Sequence, residues 1–159
     1  MIGLDHFAFV VAVGLLAAGQ VRGAILPAGF VVAAMAGTGI HLLKLDLPGA
    51  EVAIALSVIA FGAMLVWQRP DWYVVGCLAA LAGLFHGYAY GEAIVGAQMT
   101  PLVAYLLGFS LIQYGVALVA FVVGNAVLKK STNQIPLLRL AGLAICSIGV
   151  VFLTSSIIG

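Results

Sequence analysis

Charge is what this sequence has least of. Among 159 residues there are 6 lysines and arginines and 5 aspartates and glutamates, 7% charged in all, against 65% hydrophobic residues and a mean hydropathy of +1.27. A water-soluble domain carries about 25% charged residues, so a soluble fold is excluded. The net charge of +1 comes with no cluster of lysine and arginine, which excludes nucleic acid as a partner because phosphate binding needs grouped cations. Cysteine is nearly absent too. Cys77 and Cys146 stand alone without a Cys-x-x-Cys spacing, so neither a disulfide framework nor a thiolate metal site is expected. No Gly-x-x-x-x-Gly-Lys-Ser/Thr string and no His-Glu-x-x-His occurs, so neither ATP hydrolysis nor a zinc-protease site is expected, and the chain reads as no enzyme. Asp5 and His6 follow Met1 almost at once, and no signal peptide is expected ahead of the first span.

What is present is apolar length. Runs of 18 or more apolar residues recur along the chain, where a membrane barrel would show segments of about 10 residues with alternating polarity. The expected fold is all-α: a polytopic membrane protein of six transmembrane helices in one domain over residues 1–159. The spans read as Asp5 to Gln20, Ala24 to Leu43, Ala50 to Trp67, Trp72 to Gly91, Thr100 to Leu128, and Pro136 to the end. Asp71 is placed to cap the fourth helix, and Thr100-Pro101 to open the fifth. Arg22, Arg69, Lys129, Lys130 and Arg139 fall on one side of this arrangement and Lys44 alone on the other. By the positive-inside rule both termini are then extracytoplasmic, in a bacterial inner membrane with lipid as the main surroundings.

The remaining polar residues sort to the outer side. Asp5, Asp46, Glu51 and Glu92 land there, as do His6, His41 and His86. Each alone has a plain use: a helix cap for Asp5, a dipole-matching carboxylate for Glu51, an interhelical hydrogen bond for His86. Together, imidazoles and carboxylates from several helix ends make a binding site for a divalent cation. The stretch Gly83-Leu84-Phe85-His86-Gly87-Tyr88-Ala89-Tyr90-Gly91-Glu92 is the densest part, with a histidine and a carboxylate in an apolar helix and three glycines at every fourth residue. That glycine spacing puts them near one stripe and lets a neighbouring backbone approach. His86 and Glu92, six apart, point about 120° away from each other on a straight helix and share an ion only if it unwinds near Gly91. Tyr90 shares the face of His86, and Ser110 and Gln113, about halfway along the fifth helix, are candidates to line a path inward. Gly-Leu-x-His recurs at Gly3 and Gly83, and three spans per half would give oppositely oriented halves.

Gly3-Leu4-Asp5-His6, Leu47-Pro48-Gly49-Ala50-Glu51 and Phe85-His86-Gly87-Tyr88-Ala89-Tyr90-Gly91-Glu92 resemble the HupE/UreJ family, small membrane permeases associated with the nickel enzymes hydrogenase and urease, some linked to cobalt. The resemblance implies that Asp5, His6, His86 and Glu92 handle metal, with Glu51 beside them. The family pattern also has a His-Pro pair before Gly-x-Asp-His, a second histidine where Tyr90 stands, and one near Gln113. The expected function is a secondary transporter taking up nickel, or cobalt, for metalloenzyme maturation, with a cytoplasmic nickel chaperone as recipient and no permanently bound cofactor. The alternative from another class is a membrane cytochrome with histidine axial ligands to haem.

Overall fold

The computed structural model describes residues 3–67, 70–92, 99–130 and 135–158, without the side chains of residues 92, 99–102, 130, 135 and 136. Within these residues the regular structure is helical: α1 (Leu4–Ala17), α2 (Ile25–Leu42), α3 (Ala50–Trp67), α4 (Trp72–Glu92), α5 (Met99–Lys130) and α6 (Ile135–Ile158). Arg69, and the side chains of Glu92, Thr100, Pro101, Lys130 and Pro136, lie outside the described residues.

Local chemistry sets the helix ends. Asp71 Oδ1 accepts hydrogen bonds from the backbone N–H groups of Tyr73 at 2.8 Å and Val74 at 3.2 Å, the capping expected for α4. The first helix ends at Ala17, short of the expected Gln20, because Ala18 turns to extended backbone at ψ 142° and Gly19 then takes φ +81°, a left-handed conformation no helix continues through. Asn125 on α5 then accepts the Gly19 N–H at 2.9 Å and fixes that end in place.

Helices α2 to α6 are each long and apolar enough to cross a membrane, by length and composition. With 14 residues, α1 reaches only about 21 Å at 1.5 Å per residue, against about 30 Å of hydrocarbon. It packs against α2, α3, α5 and α6, and Ala8, Phe9, Ala12, Val13 and Ala17 along it are buried. The outside of the bundle is apolar, with Leu111, Val119, Leu140 and Val151 exposed, as a lipid-facing surface requires. Trp67 and Tyr73, each 82% exposed, flank the α3–α4 turn in the manner of interfacial anchors.

Between helices, lipid supplies no hydrophobic driving force, so association depends on close packing. Glycine provides it along α2 and α4. A Cβ on Gly83 would meet the Phe30 carbonyl oxygen and Ala33 Cβ, each at 2.8 Å, and one on Gly87 would overlap the Ala34 carbonyl. On the other side of the seam, Gly37 leaves no room for a Cβ against the Leu84 backbone. Thr38 locks this approach by donating to the Gly87 carbonyl at 2.7 Å. The other main pairings are α1 on α5 and α3 on α6. Exchanging the first three helices with the last three turns α1–α5 into α4–α2 and leaves α3–α6 as it is.

Candidate metal site

At one end of the bundle the start of α1 meets the end of α4. Gly3 holds the N-cap position of α1, so Asp5 is a residue of the helix's first turn and is not its cap. Because α1 is short and central, that turn lies inside the bundle, and Asp5 and His6 are both buried. The ring of His6 stands edge-on to the ring of His86, with centroids 4.5 Å apart and planes at 75°. His86 comes from the glycine seam of α4 and is 0% exposed.

Metal–nitrogen bonds are about 2.0–2.1 Å and each ring centroid lies about 1.1 Å behind its nitrogen, so two imidazoles ligating one ion at 90° to 109° have centroids about 4.5–5.2 Å apart. The observed spacing falls at the close end of that range.

The nitrogens themselves are unsatisfied. Nδ1 and Nε2 of His6, Nδ1 of His41 and Nδ1 of His86 are buried without a hydrogen-bond partner among the described residues. His6 Nδ1 lies 3.1 Å from Asp5 Oδ1, a close approach that lacks the alignment of a hydrogen bond. Buried polar atoms are normally paired, and an imidazole nitrogen left free in a protein interior is either a cost or a ligand in waiting.

Above the pair, Asp5, His6 and Glu51 line a cavity of about 310 Å³ together with Ala89 of α4 and Phe152, Ser155 and Ser156 of α6. Glu51 is exposed at its rim. Below the pair the route is closed. Phe9, one turn along α1 from His6, lies 4.3 Å from the His86 ring, 4.6 Å from Phe61 and 5.2 Å from Phe30, and all three phenylalanines are buried. To the side, Tyr90 packs 4.8 Å from His6 and accepts a hydrogen bond from Gln113 Nε2 at 2.6 Å.

The sequence candidates therefore do not all converge. Asp5, His6, His86, Tyr90 and Gln113 form one connected set, with Glu51 at the cavity above it. His41 is held elsewhere, its ring against Gly91 and 4.6 Å from Tyr88. Ser110 is half-buried on α5 and is not part of the cavity lining. Helix α4 runs unbroken through Gly91, so His86 and Glu92 are not brought to one face by unwinding, and the Glu92 side chain lies outside the described residues. Among the described residues no three histidine, cysteine, aspartate or glutamate side chains are grouped to hold an ion by themselves.

Sequence reasoning passed over Ser57, Ser155 and Ser156. The available signal was weak: Ser57 is the one hydroxyl between Val52 and Trp67, and Ser155-Ser156 interrupts the apolar end of α6.

A family described as HupE / UreJ protein matches residues 1–152 of this chain. Protein HupE of Rhizobium leguminosarum bv. viciae is 31% identical over 110 residues, which cover 67% of this chain and 56% of that protein. The chain thus matches a little over half the length of this curated relative. No solved structure matches it.

Proposed function

This chain belongs to the HupE/UreJ family, and from that premise we propose that it is a secondary permease for a divalent transition-metal ion, nickel before cobalt. The apolar helices and the family together make it an integral membrane protein of the bacterial inner membrane. The observation that carries the proposal is the set of buried imidazole nitrogens that make no hydrogen bond among the described residues, two of them on His6 and one on its neighbour His86. Borderline cations such as nickel favour imidazole, whereas magnesium and calcium favour oxygen.

In this reading the cavity mouth is extracytoplasmic, as the grouping of Arg22, Lys129 and Arg139 at the far end supports. Asp5 and Glu51 attract the hydrated ion into the cavity. Ser155 and Ser156 replace part of its water shell, and the imidazoles of His6 and His86 replace more. With two nitrogens and a carboxylate the site holds the ion only loosely, as release on the other side requires. The packed Phe9, Phe30 and Phe61 rings form the barrier that must open to let it pass, toward a cytoplasmic nickel chaperone. An interior-negative potential favours entry of a dication by about 4.6 kcal/mol per 100 mV, twice the value for one charge, so ATP is not needed.

The haem alternative fits less well. Axial ligation from both sides of a macrocycle needs a gap between the two rings, and His6 and His86 are in edge-to-face contact at 4.5 Å.

Uptake into liposomes with an imposed interior-negative potential tests the proposal. Wild-type protein is expected to accumulate nickel faster than empty liposomes, and His86→Ala, folded by circular dichroism, to lose that excess. Equal uptake by wild-type and empty liposomes, or full uptake by His86→Ala, rejects it.

A further inference from the structure

One contact of His86 plays no part in holding an ion. The Ser57 hydroxyl on α3 lies 3.0 Å from His86 Nε2 and 2.7 Å from the carbonyl oxygen of Ile54, one turn earlier on its own helix. A hydroxyl has one proton to give and lone pairs to receive with, and a carbonyl oxygen can only accept. An oxygen–oxygen distance of 2.7 Å is that of a well-formed O–H···O bond. Were the proton turned toward His86, Ser57 Oγ and the Ile54 oxygen would face each other lone pair to lone pair at that distance. The proton therefore goes to Ile54, and Ser57 Oγ meets His86 as an acceptor.

The consequence falls on the imidazole. Nε2 must carry the hydrogen, and since a neutral imidazole has one N–H, Nδ1 carries the free lone pair. Nδ1 is the His86 nitrogen that is buried with no hydrogen-bond partner among the described residues, on the side of the ring away from Ser57. The opposite tautomer would bury an N–H at Nδ1 with no acceptor among the described residues.

We infer that Ser57 is a positioning residue that fixes His86 as its Nε2–H tautomer and so presents Nδ1 as the metal-binding nitrogen. This rests on the metal reading of His86 given above and adds which atom binds and what selects it. A hydrogen bond to the second nitrogen of a ligating imidazole fixes its tautomer and orientation, and its loss costs about 10- to 100-fold in metal affinity. Ser57 also suits a carrier. Many metal-binding histidines are oriented by a carboxylate, which makes them stronger ligands, whereas a neutral hydroxyl already engaged with a carbonyl orients the ring without that gain. The ring is held ready and the ion can still leave.

The test uses the full chain in detergent with ¹⁵N-labelled histidine, His86 resonances being assigned by their loss in His86→Ala. In the metal-free wild type, Nε2 is expected to be protonated and Nδ1 not; in Ser57→Ala the two nitrogens move toward each other in chemical shift as the tautomers mix. Nickel(II) titrated calorimetrically is expected to bind about 10-fold more weakly to Ser57→Ala, with affinity restored in Ser57→Thr. A protonated Nδ1 in the metal-free wild type, or a Ser57→Ala variant with unchanged tautomer or unchanged affinity, overturns the inference. Nickel binding that survives His86→Ala intact would instead reject the metal reading, while the metal-free spectra would still decide the tautomer.

Discussion

Replacing Gly87 by alanine adds one methyl group at the tightest point of the α2–α4 seam. That carbon would overlap the Ala34 carbonyl oxygen and lie 2.6 Å from the Ala34 Cα, where ordinary van der Waals contact begins near 3.4 Å. Both partners are helix backbone, so no side chain can swing aside and the helices must separate. Overpacking of this kind costs about 1–3 kcal/mol. Separation also breaks the Thr38 hydrogen bond to the Gly87 carbonyl, and such interhelical bonds in membranes contribute about 0.6 kcal/mol on average. Alanine's better helix propensity returns about 0.5–1 kcal/mol. The expected net loss is about 2 kcal/mol, close to thirty-fold in the folding equilibrium at 1.4 kcal/mol per factor of ten. Unfolding in mixed micelles of rising SDS fraction, followed by circular dichroism, measures it. Gly76→Ala on the same helix is the control, because no atom of the described residues stands within 4 Å of its added methyl. It should unfold at or slightly above the wild-type midpoint. A Gly87→Ala midpoint equal to wild type, or a Gly76→Ala midpoint that falls as far, would refute the account of the seam.

Three further outcomes follow from the geometry. Phe9→Ala removes the ring that touches Phe30, Phe61 and His86, and liposomes holding it should leak protons severalfold faster than wild type, read with an internal pH dye; wild-type tightness would place the seal elsewhere. Glu51→Gln removes a charge from the rim of the cavity, so initial uptake should fall severalfold at low ionic strength and approach wild type at high salt, where the attraction is screened; a deficit that is independent of salt would mean Glu51 does more than attract. Asp71→Ala should lower stability by about 1 kcal/mol through loss of the α4 cap and leave uptake unchanged, since the cap lies at the other end of the helix from His86; reduced uptake at unchanged stability would contradict that separation of roles.

The fold was readable wherever the signal is local. Apolar length marks the helices, Asp71 before Trp72 marks a cap, and the spacing of Gly83, Gly87 and Gly91 marks a close seam, because each of these acts over a few residues of one helix. The sequence did not show which helix lies across from which. That α1 is the short central helix depends on the turn at Ala18 and Gly19 ending it early and on Asn125, more than a hundred residues away, receiving its end. The same limit applies at the site. His86 stands out from the sequence because imidazole is costly in an apolar span, and His6 through the Gly-Leu-Asp-His resemblance; the structure brings the two rings together. Ser57 does not stand out, since a serine in a membrane helix usually returns its hydroxyl to its own backbone; only its distance to His86 gives it a role. His41 was grouped with the other two histidines by its place on the outer side, yet its ring packs on the Gly91 surface beside Tyr88, away from them.

The central claim is that the imidazoles of His6 and His86 hold the ion together. X-ray absorption at the nickel edge, on full-length protein loaded with one equivalent of nickel, reads the ligands directly. The expected spectrum has a nitrogen and oxygen first shell with the outer scattering of two imidazoles, reduced by one ring in His6→Ala and again in the variant that also carries His86→Ala. A spectrum unchanged in the double variant, or a first shell containing sulfur, would contradict it.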